Sequence, residues 1–562
     1  MIGRWLTRPH TPNRDPQFRG RRRSRLRLEP LEDRAVPATF TVNTAIDVVN
    51  PMDGKLSLRE AITKANAAPG ADVIVVPGGN GPYLIETAGT GEDGNITGDF
   101  DITDSVTIRG TGAGSTYIGG WEPDRVFDVI GTGPHSIQVV LQGLTVRKGN
   151  AAGDGGGIRV ANGDLFMRDA AVTGNQASGS GGGISALGAA NVTLIRTTVA
   201  RNLANGGGGG LFVGGVLTAT GSTVRRNLAN DVGGGLNANT ATLTNCTVSG
   251  NTSRVHGGGI NAMNATLTNC TVANNTASVN GGGINAIILE LTRGAVRGNT
   301  AFGSGGGITA DSATLASTTV SGNFAEFSGG GINASTVGLS RSTVNGNTAA
   351  RSGGGIIASL ATLGNSTVSD NSAGMAGGGI YSTTAGLINC TVAGNSAGSE
   401  GGGINAMMAV LLNCTIAENF AHVGGGLYHS PGDTFSVKNT IVAQNMVDFG
   451  GTGPDVAGES FTSGGHNLIG DGTGGSWFSP GTDFIGTSAD PLDPRLGTLK
   501  NNGGPTQTMA LLAGSPAIDS GDNAANDPVT GLPITTDQRG FVRKKDGSGH
   551  GVAIVDIGAF ER

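Results

Sequence analysis

The most regular hydrophobic signal in the chain is an isoleucine or leucine that follows three consecutive glycines. From Leu236 to Ile404 this residue returns every 24 positions. A period this strict indicates one structural unit stacked on itself, with each copy in contact only with its neighbours. The twelve positions are Ile158, Ile184, Leu211, Leu236, Ile260, Ile284, Ile308, Ile332, Ile356, Ile380, Ile404 and Leu427.

Within each unit, apolar and polar residues alternate over short runs. In the unit that begins at Gly257, such runs cover residues 260–262, 265–267 and 270–272. This alternation is typical of β-strands, and a triple glycine opposes an α-helix by about 1 kcal/mol per glycine. We expect bends between the runs, at 263–264 and 268–269. Three strands in each repeat predict an all-β fold, a parallel β-helix (solenoid) in which one repeat forms one coil.

An asparagine recurs at the same interval and marks a second column of the predicted solenoid. We expect this column to lie at a bend, where stacked side-chain amides hydrogen-bond along the axis. The neighbouring glycines are expected to supply positive φ angles or a close approach of two backbones. The predicted structural residues are Asn251, Asn275, Asn299, Asn323, Asn347, Asn371, Asn395 and Asn419.

The repeats divide most of the chain into three regions. Residues 151–445 form the regular rod. Residues 446–562 lose the period and are expected to hold the last coils and an irregular C-terminal cap, because a solenoid must cover its ends. Residues 39–150 are expected to hold irregular first coils, with strand-like runs at 72–76, 105–108, 125–130 and 137–146.

A short capping helix is predicted ahead of the first coils, at residues 57–67. Ser57 is a suitable N-cap, and Glu60 stands at the position that completes a capping box. Ala61, Ile62 and Ala65 give the helix an apolar face.

The charge of the chain is unevenly distributed. The net charge is −6, and residues 1–34 hold ten arginines and four acids, a balance of +6 that leaves −12 for the remainder. We interpret residues 1–38 as an N-terminal sorting or export segment, and because the rod has no basic face we predict no nucleic-acid partner. No stretch reaches the roughly 18 apolar residues of a membrane-spanning helix, so no transmembrane segment is predicted.

The cysteines all occupy one position of the coil, which other coils fill with serine or threonine, as at Ser342 and Thr318. We interpret this position as a small buried residue. A disulfide between adjacent coils is the alternative, and parallel Cβ vectors would strain it. The cysteines form two pairs, each separated by one repeat: Cys246 with Cys270, and Cys390 with Cys414.

Several segments are similar to known families. Residues 57–66 (SLREAITKAN) resemble the CSLREA domain found ahead of bacterial β-helix repeats, although Leu56 stands where that family has cysteine. The glycine-rich repeats resemble right-handed parallel β-helix proteins of the pectin-lyase type, in particular the repeats of polymorphic outer membrane proteins. The tail resembles the choice-of-anchor Q domain over residues 502–506, 514–519, 536–540 and 556–561.

The N-terminal arm has a resemblance of its own. Residues 28–34 together with residues 36–38 are similar to the N-terminal sorting motif of large planctomycete surface proteins. This resemblance implies cleavage near Ala38 and an extracellular or cell-surface location. None of the resemblances implies a catalytic activity.

Catalytic chemistry is sparse along the rod. Hydrolases and lyases with this fold need clustered carboxylates, or aspartates with arginine and lysine, on one sheet face. Between Gly155 and Leu427 there are nine acids and no lysine, which predicts a rod without a cluster of acids and bases. Asp370 and Glu418 share one column and are two coils, or about 10 Å, apart. The two catalytic carboxyl groups of inverting glycosidases are separated by a similar distance, roughly 6.5–9.5 Å. Solvated acids at a bend are the favoured interpretation, and a catalytic pair is the alternative.

The tail contains the remaining candidate chemistry. Asp519, Asp522 and Asp537 could supply oxygen ligands to calcium, which needs six to eight of them. Their spacing matches no calcium loop, so turn-forming aspartates are favoured, and no metal or other cofactor is predicted.

These observations predict a secreted or cell-surface β-helix scaffold, a monomer, that acts in adhesion, envelope structure or glycan binding without catalysis. Its expected partner is a polysaccharide or a component of the cell envelope. The alternative is a polysaccharide lyase or glycoside hydrolase of the pectin-lyase-like fold.

Overall fold

The computed structural model describes residues 37–562, except for 121–123, 431, 433, 460 and 476–480. The predicted sorting segment therefore lies outside the described residues, apart from its last two positions. All pairings between the named strands are parallel, and they join each coil to the next. The chain is a parallel β-helix whose central coils follow the repeat of the hydrophobic pattern, so that Leu236 pairs with Ile260 and Ile260 with Ile284.

Each central coil has three strands, but they are placed differently from the prediction. The first two predicted runs form one long strand, Ile260–Thr268, rather than two strands separated by a bend. Residue 263 is left out of the pairing with the next coil, so the strand kinks there without ending. The second strand is Thr271–Ala273, and the third, Thr276–Ala277, has too few residues to show a period in the sequence. The predicted bend at 268–269 is confirmed, since Asn269 has a φ of 53°.

The strands stack into three sheets. Sheet 1 contains the long strands and, in the outer coils, the shorter strands that replace them: Thr39–Thr41, Asp72–Val75, Phe100–Ile102, Val106–Arg109, Phe127–Ile130, Gln138–Gln142, Ile158–Asn162, Asp164–Arg168, Ile184–Ala186, Val192–Ile195, Leu211–Thr220, Leu236–Thr244, Ile260–Thr268, Ile284–Thr292, Ile308–Ala316, Ile332–Ser340, Ile356–Gly364, Ile380–Ile388, Ile404–Leu412, Leu427–Tyr428, Thr434–Lys438, Val456–Ala457 and Phe461–Ser463.

Sheet 2 contains Tyr83–Leu84, Tyr117–Gly119, Thr145–Arg147, Ala171–Thr173, Thr198–Ala200, Thr223–Arg225, Thr247–Ser249, Thr271–Ala273, Ala295–Arg297, Thr319–Ser321, Thr343–Asn345, Thr367–Ser369, Thr391–Ala393, Thr415–Ala417, Ile441–Ala443, Leu468–Ile469 and Phe484–Ile485. Sheet 3 contains Asn150–Ala151, Gln176–Ala177, Leu203–Ala204, Leu228–Ala229, Thr252–Ser253, Thr276–Ala277, Thr300–Ala301, Phe324–Ala325, Thr348–Ala349, Ser372–Ala373, Ser396–Ala397, Phe420–Val423 and Met446–Thr452.

The core is a set of stacked columns inside the coils. Ile260, Leu267 and Val272 are fully buried, and so are their equivalents in the next coil. Burial of one such side chain contributes about 1.5–3 kcal/mol. The four cysteines are buried free thiols at the predicted small position, and Cys270 Sγ accepts a hydrogen bond from the Cys246 amide at 3.3 Å.

The asparagines form a buried hydrogen-bond ladder along the rod. In one step of the ladder, the backbone N–H and the side-chain Nδ2 of Asn251 both donate to Asn275 Oδ1, at 2.9 and 3.0 Å. The same Nδ2 also donates to the Val224 carbonyl at 3.0 Å. The ladder extends beyond the eight asparagines of the central coils, from Asn175 to Asn445. Each side chain therefore satisfies four groups, two backbone groups and two side-chain amide groups, that the turn would otherwise leave buried without partners.

The glycine triplet is needed for two different reasons. Gly257 has a φ of +66°, which favours glycine over other residues. A Cβ on Gly258 would lie 2.3 Å from the Gly282 carbonyl oxygen, and one on Gly259 would lie 2.9 Å from the Nδ2 atom of Asn275 in the ladder. The second and third glycines are therefore required by the close contact between stacked coils.

The predicted capping helix is present at Leu58–Ala67, with Ser57 as its N-cap. Ser57 Oγ accepts from the Glu60 amide, and Glu60 Oε2 accepts from the Ser57 amide, so the capping box is complete. The helix buries Arg59, whose guanidinium pairs with Asp47 at 2.8 Å. Among the described residues, no helix is long and apolar enough to cross a membrane.

The C-terminal region does more than close the end of the solenoid. It folds back along sheet 2 and covers coils that lie up to 171 residues earlier in the chain. Gln538 Nε2 donates to Thr367 Oγ1 at 2.9 Å, and Thr391 Oγ1 donates to Gln538 Oε1 at 2.6 Å. Farther along, the Ala559 amide donates to Thr415 Oγ1 at 3.0 Å. The tail is thus a cover for one side of the last coils as well as an irregular cap.

Candidate functional site

A shallow groove runs along the outer face of sheet 1 in the central coils. Its floor is the alanine column of the long strands, and its walls are the columns immediately before and after that alanine. Two adjoining depressions of about 460 and 450 Å³ share Thr309, Ala310 and Asp311. A third depression shares Tyr381 and Thr383 with the first and extends to Ser430. We call this feature the alanine groove.

The walls of the alanine groove mix polar side chains with exposed methionine and isoleucine side chains, and they are almost uncharged. One wall contains an asparagine row in which Asn261 Nδ2 donates to Asn237 Oδ1 at 2.9 Å and Asn285 Nδ2 donates to Asn261 Oδ1 at 2.8 Å. Serine and threonine hydroxyls continue the walls, and Tyr381 is 38% exposed. Of the residues that line the three depressions, Asp311 and Glu400 carry charge. Along the groove, side-chain amides and hydroxyls are interspersed with apolar side chains, and successive coils lie about 4.8 Å apart.

A second feature, which we call the acidic cluster, lies in the first coils. Asp101 and Asp128 are paired neighbours on strands Phe100–Ile102 and Phe127–Ile130, and Arg159 is the next partner in the same column. Oxygens of Asp93, Asp101 and Asp128 lie within 4.8 Å of one another. Asp101 and Asp128 are 0% and 1% exposed, whereas Asp93 is exposed.

Two arginines bind part of this cluster. Arg125 Nη1 lies 2.9 Å from Asp128 Oδ2 and 3.0 Å from Asp99 Oδ2. Arg159 Nη2 lies 2.6 Å from Asp128 Oδ2. Asp101 has a different partner: its Oδ2 accepts from the backbone N–H of Asn95 at 2.7 Å.

Burial and mutual repulsion control the protonation of these acids. Burial, followed by the charge of Asp124, raises the pKa of Asp99 to about 7. Burial, followed by the charge of Asp99, raises the pKa of Asp101 to about 8. The pKa of Asp128 is also raised by burial, although its hydrogen bond from Arg159 opposes the shift. Asp99 and Asp101 are therefore partly protonated near neutral pH.

The acidic cluster was not predicted, because Asp101 and Asp128 lie in irregular coils that do not follow the 24-residue period. The expectation of a rod without such a cluster concerned the residues after Gly155, and the acids of this cluster precede that range. Arg159 is the rod residue that joins them, through Asp128. A signal was available in the sequence. Phe-Asp followed by Ile or Val occurs at 100–102 and again one coil later at 127–129, which places both aspartates in one column.

The structure places Asp370 and Glu418 at exposed corners of the coil. Their φ angles are 55° and 58°, so both stand at the left-handed position that precedes a ladder asparagine. Neither residue lines the three depressions of the alanine groove.

The three tail aspartates have separate partners within the protein. Asp519 accepts from the amides of Gly547 and Ser548, at 3.0 and 2.7 Å. Asp522 pairs with Lys438 Nζ at 2.8 Å. These contacts are those of turn-forming and ion-paired aspartates. Among the described residues, the acids close enough to share a metal ion are those of the acidic cluster.

Asp537, the third tail aspartate, is fully buried and pairs with Arg539 Nη2 at 2.7 Å. Its carboxylate also accepts from the amides of Arg539 and Phe541, at 2.9 and 3.0 Å.

The strand pairing defines the class of this protein as a parallel β-helix, and its outer face carries the alanine groove. The chain matches no known family model and no curated protein. Among solved structures, it is similar to the A-module of the mannuronan C-5 epimerase AlgE6 of Azotobacter vinelandii, with 16% identity, coverage of 75% of this chain and 96% of that chain, and a TM-score of 0.30. It is also similar to pectate lyase Pel9A, with 14% identity, coverage of 93% and 96%, and a TM-score of 0.21. Scores this low say nothing about the activity of this chain.

Proposed function

We propose that the protein is a secreted or cell-surface scaffold that binds a neutral polysaccharide in the alanine groove without cleaving it. The observation that carries the proposal is the groove itself: an open channel over the central coils, whose walls carry side-chain amides and hydroxyls interspersed with apolar side chains. An extended polymer with regularly spaced hydroxyl groups matches such a channel. The resemblance of both chain ends to surface-protein segments supports the location.

The charge of the groove favours a neutral polymer over an acidic one. Asp311 and Glu400 are both acidic, and they lie in different depressions. A polyuronate would meet these carboxylates without a compensating base among the lining residues. Tyr381 offers a half-exposed ring face with a polar hydroxyl, a combination suited to a sugar ring.

The test compares bulky substitutions at adjacent positions of one strand. Ser335 lines the groove, whereas the next residue, Thr336, is exposed beyond it. Affinity electrophoresis first identifies which neutral glucans, mannans or xylans retard the wild-type protein. We expect Ser335→Trp to abolish binding to those polysaccharides and Thr336→Trp to leave their binding unchanged. Equal binding by both variants, or retention by polygalacturonate alone, would contradict the proposal.

A second pair of variants tests the aromatic contribution. Tyr381→Ala should weaken binding about tenfold, since loss of an aromatic contact removes roughly 1–2 kcal/mol. Phe324 has a similar exposure, 39% against 38%, but lies on sheet 3, away from the groove. Phe324→Ala is therefore the matched control and should bind as the wild type does.

Cleavage of a polysaccharide is the alternative, and it makes a different prediction. An activity screen on neutral and acidic polysaccharides would then reveal turnover, and Asp370→Asn or Glu418→Gln would abolish it. That result would replace the binding proposal with a catalytic one.

A further inference from the structure

The first coils contain more buried negative charge than their own arginines balance. The carboxylates of Asp99, Asp101 and Asp128, with Asp93 at the surface, face the two guanidinium groups of Arg125 and Arg159. Buried charges without partners cost several kcal/mol each, so a structure normally compensates them with a counter-charge or a proton.

One atom in particular lacks a partner. Asp101 is fully buried, and its Oδ2 is occupied by the Asn95 amide, but its Oδ1 has no hydrogen-bond partner among the described residues. A buried carboxylate oxygen loses its hydration without compensation in this state. The side chain nevertheless belongs to the group whose oxygens converge with those of Asp93 and Asp128.

We propose that Asp93, Asp101 and Asp128 form a binding site for a divalent cation, of which calcium fits best. Oxygens that share one calcium ion at 2.3–2.6 Å lie at most about 5.2 Å apart, and the three carboxylates meet that limit. Asp101 would supply its unpartnered Oδ1 and Asp93 one or two oxygens, whereas Asp128 would share an oxygen that already accepts from an arginine. Water completes the shell on the exposed side of Asp93. This site is separate from the alanine groove and does not depend on the proposed function.

The ion would tie three parts of the N-terminal region together. Asp93 belongs to the loop in which Glu92 accepts from the amides of Ile96 and Thr97, both at 2.6 Å. Asp101 and Asp128 belong to two successive coils. A cation shared by these residues would fasten the loop onto the first coils, where the solenoid meets its helical cap, and would stabilise that end of the rod.

The experiment measures calcium binding by the full chain. After treatment with EDTA and dialysis, the protein is titrated with CaCl₂ by isothermal calorimetry, and its melting temperature is measured with CaCl₂, with MgCl₂ and with EDTA. We expect one site with a Kd of about 0.1–1 mM, the range of extracellular calcium modules, and a higher melting temperature in calcium.

Three variants decide whether the acidic cluster is responsible. Asp93→Asn and Asp101→Asn should each weaken calcium binding at least about tenfold, whereas Asp231→Asn, at an exposed position on a distant coil, should bind as the wild type does. Asp101→Asn keeps the shape of the side chain but removes a charge, so in EDTA it should melt at or above the wild-type temperature. If it does not fold, the exposed Asp93→Asn variant decides alone. No binding by the wild type at millimolar calcium, or equal binding by all the folded proteins, would overturn the proposal.

Discussion

The central coils and the first coils use buried polar groups in opposite ways. Between Leu236 and Leu412 the buried polar column is the neutral asparagine ladder, in which each side chain repeats the contacts of the previous one. The coils from Phe100 to Asn162 instead bury two carboxylates in one column of sheet 1, next to the partly exposed Arg159. In a strict repeat, identical side chains stack about 4.8 Å apart. A buried charged side chain would therefore be repelled by the same charge in the neighbouring coils, whereas an amide can donate to one neighbour and accept from the other. Among the described residues, the buried acids therefore lie outside the regular coils of residues 151–445.

The largest effect is expected from a methyl group placed between two central coils. A Cβ on Gly306 would lie 2.4 Å from the Phe324 carbonyl oxygen and 2.5 Å from that of Gly330. Both atoms are backbone and cannot move without separating the coils, so Gly306→Ala should lower the free energy of unfolding by about 3–5 kcal/mol.

A glycine on the same solenoid provides the control for that substitution. At Gly338 the nearest atom to an added Cβ is Thr314 Oγ1, at 3.9 Å. Gly338→Ala should therefore change stability by no more than about 0.5 kcal/mol. Urea unfolding followed by circular dichroism measures both variants, and similar midpoints would show that coil contact does not require the glycines.

A smaller effect is expected when the ladder loses one member. Asn299 Nδ2 donates to the Val272 carbonyl and to Asn323 Oδ1, at 3.0 and 2.9 Å, and its Oδ1 accepts from Asn275. Asn299→Ala leaves these groups buried without partners and should cost about 2–3 kcal/mol. Asn264→Ala, at an exposed position of sheet 1, should cost less than about 0.5 kcal/mol. Hydrogen exchange of the neighbouring coils should increase in the first variant only.

The last effect is a change in the pH dependence of stability, and it concerns the C-terminal end, where the structure again buries charge. Burial, followed by the charge of Asp556, raises the pKa of Glu561 to about 8, from an ordinary value of 4.5, although Arg543 Nη1 lies 3.6 Å away. The folded chain then holds a proton that the unfolded chain releases, so this contribution to stability is complete below pH 4.5 and is lost as the pH rises towards 8. The glutamine of Glu561→Gln cannot titrate, so this variant should lack this part of the loss of stability with rising pH.

The measurement for Glu561 is a difference between pH profiles. The urea midpoint of the wild type, recorded between about pH 5 and 8, should fall more steeply than that of Glu561→Gln. Glu326→Gln, at an exposed position, should keep the wild-type slope. Parallel profiles for all three proteins would indicate that Glu561 is ionised throughout this range.

Much of the fold could be predicted because each coil contacts only its neighbours. The Ile260 column, the alternation around Leu267 and the capping box of Ser57 are local patterns, and the structure has all three. The third strand, Thr276–Ala277, was missed because two residues show no period, and its geometry is imposed by the ladder turn before it. The acidic cluster was missed because irregular coil lengths hide the column that joins Asp101, Asp128 and Arg159.

The sequence by itself determined the stacking of identical coils, the buried columns and the need for glycine at the turn. These properties recur in every central coil and depend only on contacts between adjacent units. Only the tertiary structure decided where the non-repeating segments dock. The contact of Gln538 with Thr367 spans 171 residues, and Arg59 reaches the Asp99 carbonyl 40 residues away. Such contacts carry no periodic signal, because each occurs once and is selected by shape and charge after the rod has formed its surfaces.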